Sequence, residues 1–152
     1  MSLSNYKNRL RIRVNGLLVK DDALLLVKIH SPVSKSDVWM PPGGGMKFGE
    51  AVTDCLRREF REETGLEVDI ESLRFVNELL KPPFHAIELY FDVRQTGGKL
   101  QLGHDPEQRQ EEQLLKELKF IPLRDFDAYP VKPESLLKAF SGRNNPRFSS
   151  RC

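Results

Sequence analysis

Residues 43–65 read GGGMKFGEAVTDCLRREFREETG. The spacing predicts a helix from about Glu50 to Thr64, closed by Gly65 as a left-handed cap. On a wheel at about 100° per residue with Val52 at zero, Cys55, Leu56 and Phe60 fall at about 300°, 40° and 80° and form one apolar stripe. Glu59 and Glu63 fall at about 340° and 20°, inside that stripe, with Glu62 at its edge. A solvated, charge-laced helix would keep its glutamates opposite the apolar face, where Asp54, Arg57 and Arg61 lie. Carboxylates that continue a buried stripe repel each other and lose hydration unless a cation compensates. Arg58 is close in sequence but off to the side. A divalent cation fits better, because carboxylates at this spacing can share a hard ion through oxygen ligands. The glycines of PPGGG (41–45) are expected to form a turn whose backbone approaches a metal shell or phosphate oxygens.

The 152 residues suffice for one domain with a real core. A net charge of +2 excludes a polybasic field, so no nucleic-acid partner is expected. The apolar runs GLLV (16–19) and ALLLVKI (23–29) are too short and too closely flanked by charge for a signal peptide or membrane span. A cytoplasmic protein without a membrane partner is the expectation. Cys55 lies within the helical pattern and Cys152 ends the chain, which does not suggest a disulfide framework.

Upstream of the glycines, Arg9 to Lys20 alternates Leu10, Ile12 and Val14 with basic residues, and Ala23 to His30 follows after Asp21-Asp22. The two runs read as a β-hairpin. SPVSKSDV (31–38) reads as a loop. Downstream, Glu67–Leu80 holds one or two strands, Ala86–Gln95 is a clear alternating strand, and TGGK (96–99) reads as a hairpin turn into KLQL. Residues 103–113 read as an acidic loop, Leu118–Leu123 as a strand and Pro133–Phe140 as a short helix. The chain thus divides into a disordered or added start (1–8), one domain (9–141) and a flexible tail (142–152). The class is α/β or α+β, a mixed sheet flanked by helices.

The segment resembles the box of the Nudix (MutT-like) hydrolases, G-x5-E-x7-R-E-U-x-E-E-x-G-U, where U is bulky and apolar. Gly44, Glu50, Arg58-Glu59, Phe60, Glu62-Glu63, Gly65 and Leu66 fill every fixed position. WMPPGG (39–44) and EEQLLKELKFIPL (111–123) resemble the family's flanking context. The resemblance implies an α/β/α sandwich and hydrolysis of the pyrophosphate bond of a nucleoside diphosphate linked to another moiety. ADP-ribose, a nucleotide sugar and a (d)NTP are all open, with Mg2+ or Mn2+ as cofactor. By position, Glu59, Glu62 and Glu63 would be metal ligands, joined by the Gly43 or Gly44 carbonyl. Arg58 would orient a glutamate and Glu50 would tie the loop to the helix. Glu111 or Glu112 would be the general base. Gly43, Gly44, Gly45 and Trp39 would meet the substrate, although a Trp before a turn also packs into cores. Pro82, sixteen residues after Leu66, resembles the ADP-ribose branch. The partner is a small-molecule nucleotide, and a homodimer is left open. The alternative is a domain that senses a nucleotide or ADP-ribose without cleaving it.

Overall fold

The alternating run near the start of the chain divides between two sheets. The structure, a computed structural model, describes residues 6–103 and 115–140, and the backbone of 147–151. β1 (Arg9–Leu17) leads into β2 (Val19–Lys20), and only β2 forms the expected hairpin, with β3 (Ala23–His30). Asp21 and Asp22 between them have φ of 53° and 60°, as a two-residue type I′ turn requires. β1 pairs instead with more distant segments. It runs antiparallel to β5 (Gly43–Gly45) and parallel to β7 (Phe84–Gly98).

The first sheet has the order β5-β1-β7-β6-β9, with β6 at Leu66–Lys81 and β9 at Arg147–Arg151. It is mixed, because β1/β7 and β6/β9 are parallel while the other pairs are antiparallel. In the second sheet β3 pairs with β2, with β4 (Asp37–Met40) and with β8 (Leu115–Pro122). Leu24, Leu25, Leu26 and Val27 of β3 are all fully buried. Leu25 joins the cluster under α1 (Val52–Thr64), with Cys55, Leu56 and Phe60. Leu24 and Leu26 face the opposite cluster, which includes Trp39, Ile121, Phe126 and Leu136. A continuous apolar run is what a strand covered on both faces needs. Helix therefore lies on either side of sheet, with a 3-10 segment (Leu123–Ala128) and α2 (Leu136–Ala139) opposite α1. This is the expected α/β sandwich with a mixed sheet between helices.

α1 ends where the sequence places it, at Gly65 with φ 75°. Its last carbonyls are satisfied by a segment read from sequence as a strand. The N–H groups of Lys99, Gln101 and Gly103 donate to the carbonyls of Gly65, Thr64 and Glu63, which otherwise would have no partner within the helix. TGGK is accordingly no hairpin turn. β7 continues through Gly98 opposite Leu66, and the β6–β7 connection lies at Lys81–Phe84. Arg147–Arg151 add to β6 as a parallel strand. Among the described residues no helix is long and apolar enough to cross a membrane.

Candidate active site

The three glycines form the edge strand β5 and not a turn. β5 pairs with Arg13, Val14 and Asn15 of β1, in a register that places Gly43 and Gly45 outside the hydrogen-bonded pairs. Antiparallel alternation turns the polar groups of those two residues away from β1. α1 takes up this free edge. The Gly43 N–H donates to Glu63 Oε1 at 3.0 Å, and Cys55 Sγ approaches the Gly45 carbonyl at 3.7 Å. Gly44 lies against the Glu59 carboxylate so closely that a Cβ there would collide with it. Strand and helix thus enclose one side of a cleft of about 790 Å³, lined by Gly43, Gly44, Gly45, Glu50, Glu59, Glu62 and Glu63.

Arg58 organises the carboxylates. Its Nε and Nη2 donate to Glu50 Oε2 and Oε1 at 2.7 and 3.0 Å, a bidentate fork. Its Nη1 donates to Glu59 Oε1 at 2.9 Å and reaches Glu62 Oε2 at 3.4 Å. The fork from Arg58 holds the Glu50 carboxyl down to about 2, and Glu50 also accepts the Lys47 N–H at 3.2 Å. Glu50 thus contacts both the Lys47 backbone of the loop and Arg58 of the helix. Burial pushes Glu59 the other way, upward, and the like charge of Glu62 adds to it against the pull of Arg58. Burial also pushes the Cys55 thiol up to about 12, so it is an inert packing group.

The Glu50–Arg58 pair predicts a pH dependence. An unperturbed glutamate titrates near 4.5, and the folded value is lower. The stabilisation is thus complete above the unfolded value and lost as pH falls toward about 2. Urea unfolding is expected to find Glu50→Gln less stable than wild type at about pH 6, with the gap closing near about pH 2. A gap that stays constant with pH would show that the charge of Glu50 does not matter.

Trp39 is placed differently from the expectation. It is 5% exposed, packs edge-on against Tyr129 at 5.9 Å between centroids, and belongs to the core cluster opposite α1. Its position on β4, hydrogen-bonded through its backbone to Pro130 and Lys132, turns it from the cleft. Glu111 and Glu112 lie outside the described residues. Arg11 and Arg13 were not singled out from the sequence, yet both line the cleft. β5 pairs with Arg13–Asn15 of β1, and the Met46 N–H reaches on to the Ile12 carbonyl. On the other face of β1, α1 buries Val14 but leaves Ile12 at 45% and Leu10 at 64% exposure. The alternation of basic and apolar residues was the available signal, but it does not reveal which face meets a cleft.

Comparisons with known proteins bear on the family and the fold. The NUDIX domain family profile matches residues 9–140. An ADP-ribose pyrophosphatase of Methanocaldococcus jannaschii is 30% identical over 131 residues, covering 85% of this chain and 72% of that protein. An NAD-capped RNA hydrolase NudC of Pseudomonas putida is 32% identical over 89 residues, 59% of this chain but 31% of that protein. Among solved structures, a MutT protein from Methanosarcina mazei Go1 has a TM-score of 0.70 at 18% identity, covering 88% of this chain and 92% of that one. That likeness concerns the fold alone. Matched over most of its length by the family profile and by the archaeal relative, the chain belongs to the Nudix family.

Proposed function

We propose that the cleft hydrolyses the pyrophosphate bond of a nucleoside diphosphate derivative, with Mg2+ or Mn2+ held by Glu59, Glu62 and Glu63. The observation that carries this reading is the gathering of four carboxylates, Glu50, Glu59, Glu62 and Glu63, along one cleft beside a strand of glycines. Arg58 is shared among Glu50, Glu59 and Glu62, so three glutamates lie close enough around one guanidinium to repel each other. Among the described residues no three such side chains converge into a ready-made metal cage. Glu59 and Glu62 lean on Arg58 and Glu63 on the Gly43 N–H, so holding a cation would require these contacts to be exchanged or shared. The donor set nonetheless fits, because hard divalent ions favour carboxylate oxygens. Such an ion would neutralise phosphate charge and lower the pKa of attacking water.

The residues of the chain then divide the work. Arg58 orients Glu59 and Glu62, Glu50 anchors Arg58, and the side-chain-free β5 lets phosphates approach the backbone. Glu111 and Glu112 are the proposed bases. The name of the archaeal relative favours ADP-ribose among the substrates. Incubation with ADP-ribose, nucleotide sugars, dinucleoside polyphosphates and (d)NTPs is expected to release phosphate products from at least one class with Mg2+, and from none with EDTA. Tight ADP-ribose binding without hydrolysis of any compound would support a sensor instead.

A further inference from the structure

Next to the carboxylate cleft lies a second cavity of about 280 Å³, and the two share Tyr6, Arg11, Arg13, Ile29, Pro32 and Met40 as their common wall. Arg11 and Arg13 are two residues apart on β1 and so point to the same face. Their electrostatic situations differ. Arg13 faces Glu88 across the β1/β7 pair, Nη1 to Oε2 at 3.9 Å. Glu88 is itself fixed by Asn77 Nδ2 at 2.9 Å and the Tyr90 hydroxyl at 3.4 Å. Among the described residues Arg11 makes no side-chain hydrogen bond or ion pair, and its guanidinium rests over the Tyr6 ring at 3.9 Å. It also lies over the glycine strand, where a Cβ on Gly45 would sit 3.0 Å from its Nη2. Burial, with the like charge of Arg13, pushes the Arg11 pKa down to about 10 against the pull of Tyr6, Glu88 and Glu59.

A partly buried guanidinium that Glu88 and Glu59 attract only from a distance, with no ion pair of its own among the described residues, is an arrangement that an incoming anion would relieve. Its place between the two cavities restricts which anion. The Gly44 side of β5 meets the Glu59 carboxylate and the Gly45 side meets Arg11, so a molecule lying along the glycines would have carboxylates on one flank and a cation on the other. A phosphoric anhydride suits both, and the planar fork of arginine matches phosphate oxygens.

We propose that Arg11 is a phosphate-binding residue, taking the phosphoryl group of the substrate that lies between the carboxylate cleft and the second cavity. This rests on the hydrolase reading above, and it makes the second cavity the place of the group attached to that phosphate. Calorimetry of the full chain with inorganic pyrophosphate and Mg2+ tests it. Arg11→Met is expected to weaken binding tenfold or more, Arg11→Lys to recover part of it, and Arg94→Met, on the surface beside Asp69, to leave it unchanged. In turnover, Arg11→Met is expected to raise KM more than it lowers kcat. Pyrophosphate that binds a folded Arg11→Met as it binds wild type, or fails to bind wild type, overturns the proposal. Should Arg11→Met not fold, the Nε–H resonance of Arg11 in wild type is expected to shift on adding pyrophosphate, and an unmoved resonance overturns it equally. Hydrolysis with Arg11-independent binding defeats this assignment alone, whereas Arg11-dependent binding without hydrolysis of any compound defeats the hydrolase reading alone.

Discussion

Glu63→Gln is expected to lower turnover by about a hundredfold or more while leaving the fold intact. A metal ligand contributes several kcal/mol of transition-state charge stabilisation, and each ~1.4 kcal/mol is tenfold in rate. The fold tolerates the change for a separate reason. Glu63 is 8% exposed and accepts the Gly43 N–H through Oε1. The amide oxygen of glutamine can keep that bond, while a charge that burial disfavours is removed. Steady-state kinetics at saturating Mg2+, beside a thermal melt, give the two readings. Wild-type turnover in a folded Glu63→Gln would sink the assignment of Glu63 to the metal.

Gly43→Ala and Gly44→Ala, although adjacent, are expected to fail in different ways. A Cβ on Gly43 would collide with the Val14 carbonyl and the Asn15 Cα, backbone atoms that cannot move without opening the β1/β5 pair. Overpacking against backbone should cost about 3 kcal/mol, or roughly 10 °C in the melting midpoint. The atoms nearest to a Cβ on Gly44 are the carboxylate end of the Glu59 side chain, which can swing aside. Gly44→Ala is therefore expected to melt within about 3 °C of wild type yet lose tenfold or more in activity, because it displaces a carboxylate of the site. Equal loss of stability in the two variants would mean that β5 does not contact β1 and α1 as described.

The helix was legible in the sequence because its signals are local. The apolar stripe through Cys55, Leu56 and Phe60 repeats at helical spacing, Gly65 marks the end, and the wheel brings Glu59 and Glu63 to one side whatever packs against them. Trp39 was not legible in the same way, since a Trp before PPGGG can face a substrate or a core with equal local cost. Its burial beside Tyr129 follows from a contact about ninety residues along the chain. The short pairing of β2 with β3 was readable only at its turn, Asp21-Asp22. That β1 would leave for another sheet was not readable, because its partners β5 and β7 are distant.

By itself, then, the sequence determined the carboxylate helix, the family and the class of the fold, all of which rest on periodicity and spacing within some twenty residues or on strand-helix order. The tertiary structure decided how the glycines are used and which cations attend the site. GGG is an edge strand only because β1 offers it a ladder and α1 occupies its outer side. Arg11 and Arg13 line the cleft because β7 sets their register, opposite Ala86 and Glu88. Pairing between strands more than seventy residues apart is chosen by the burial of whole faces, and a short window of residues does not carry that information.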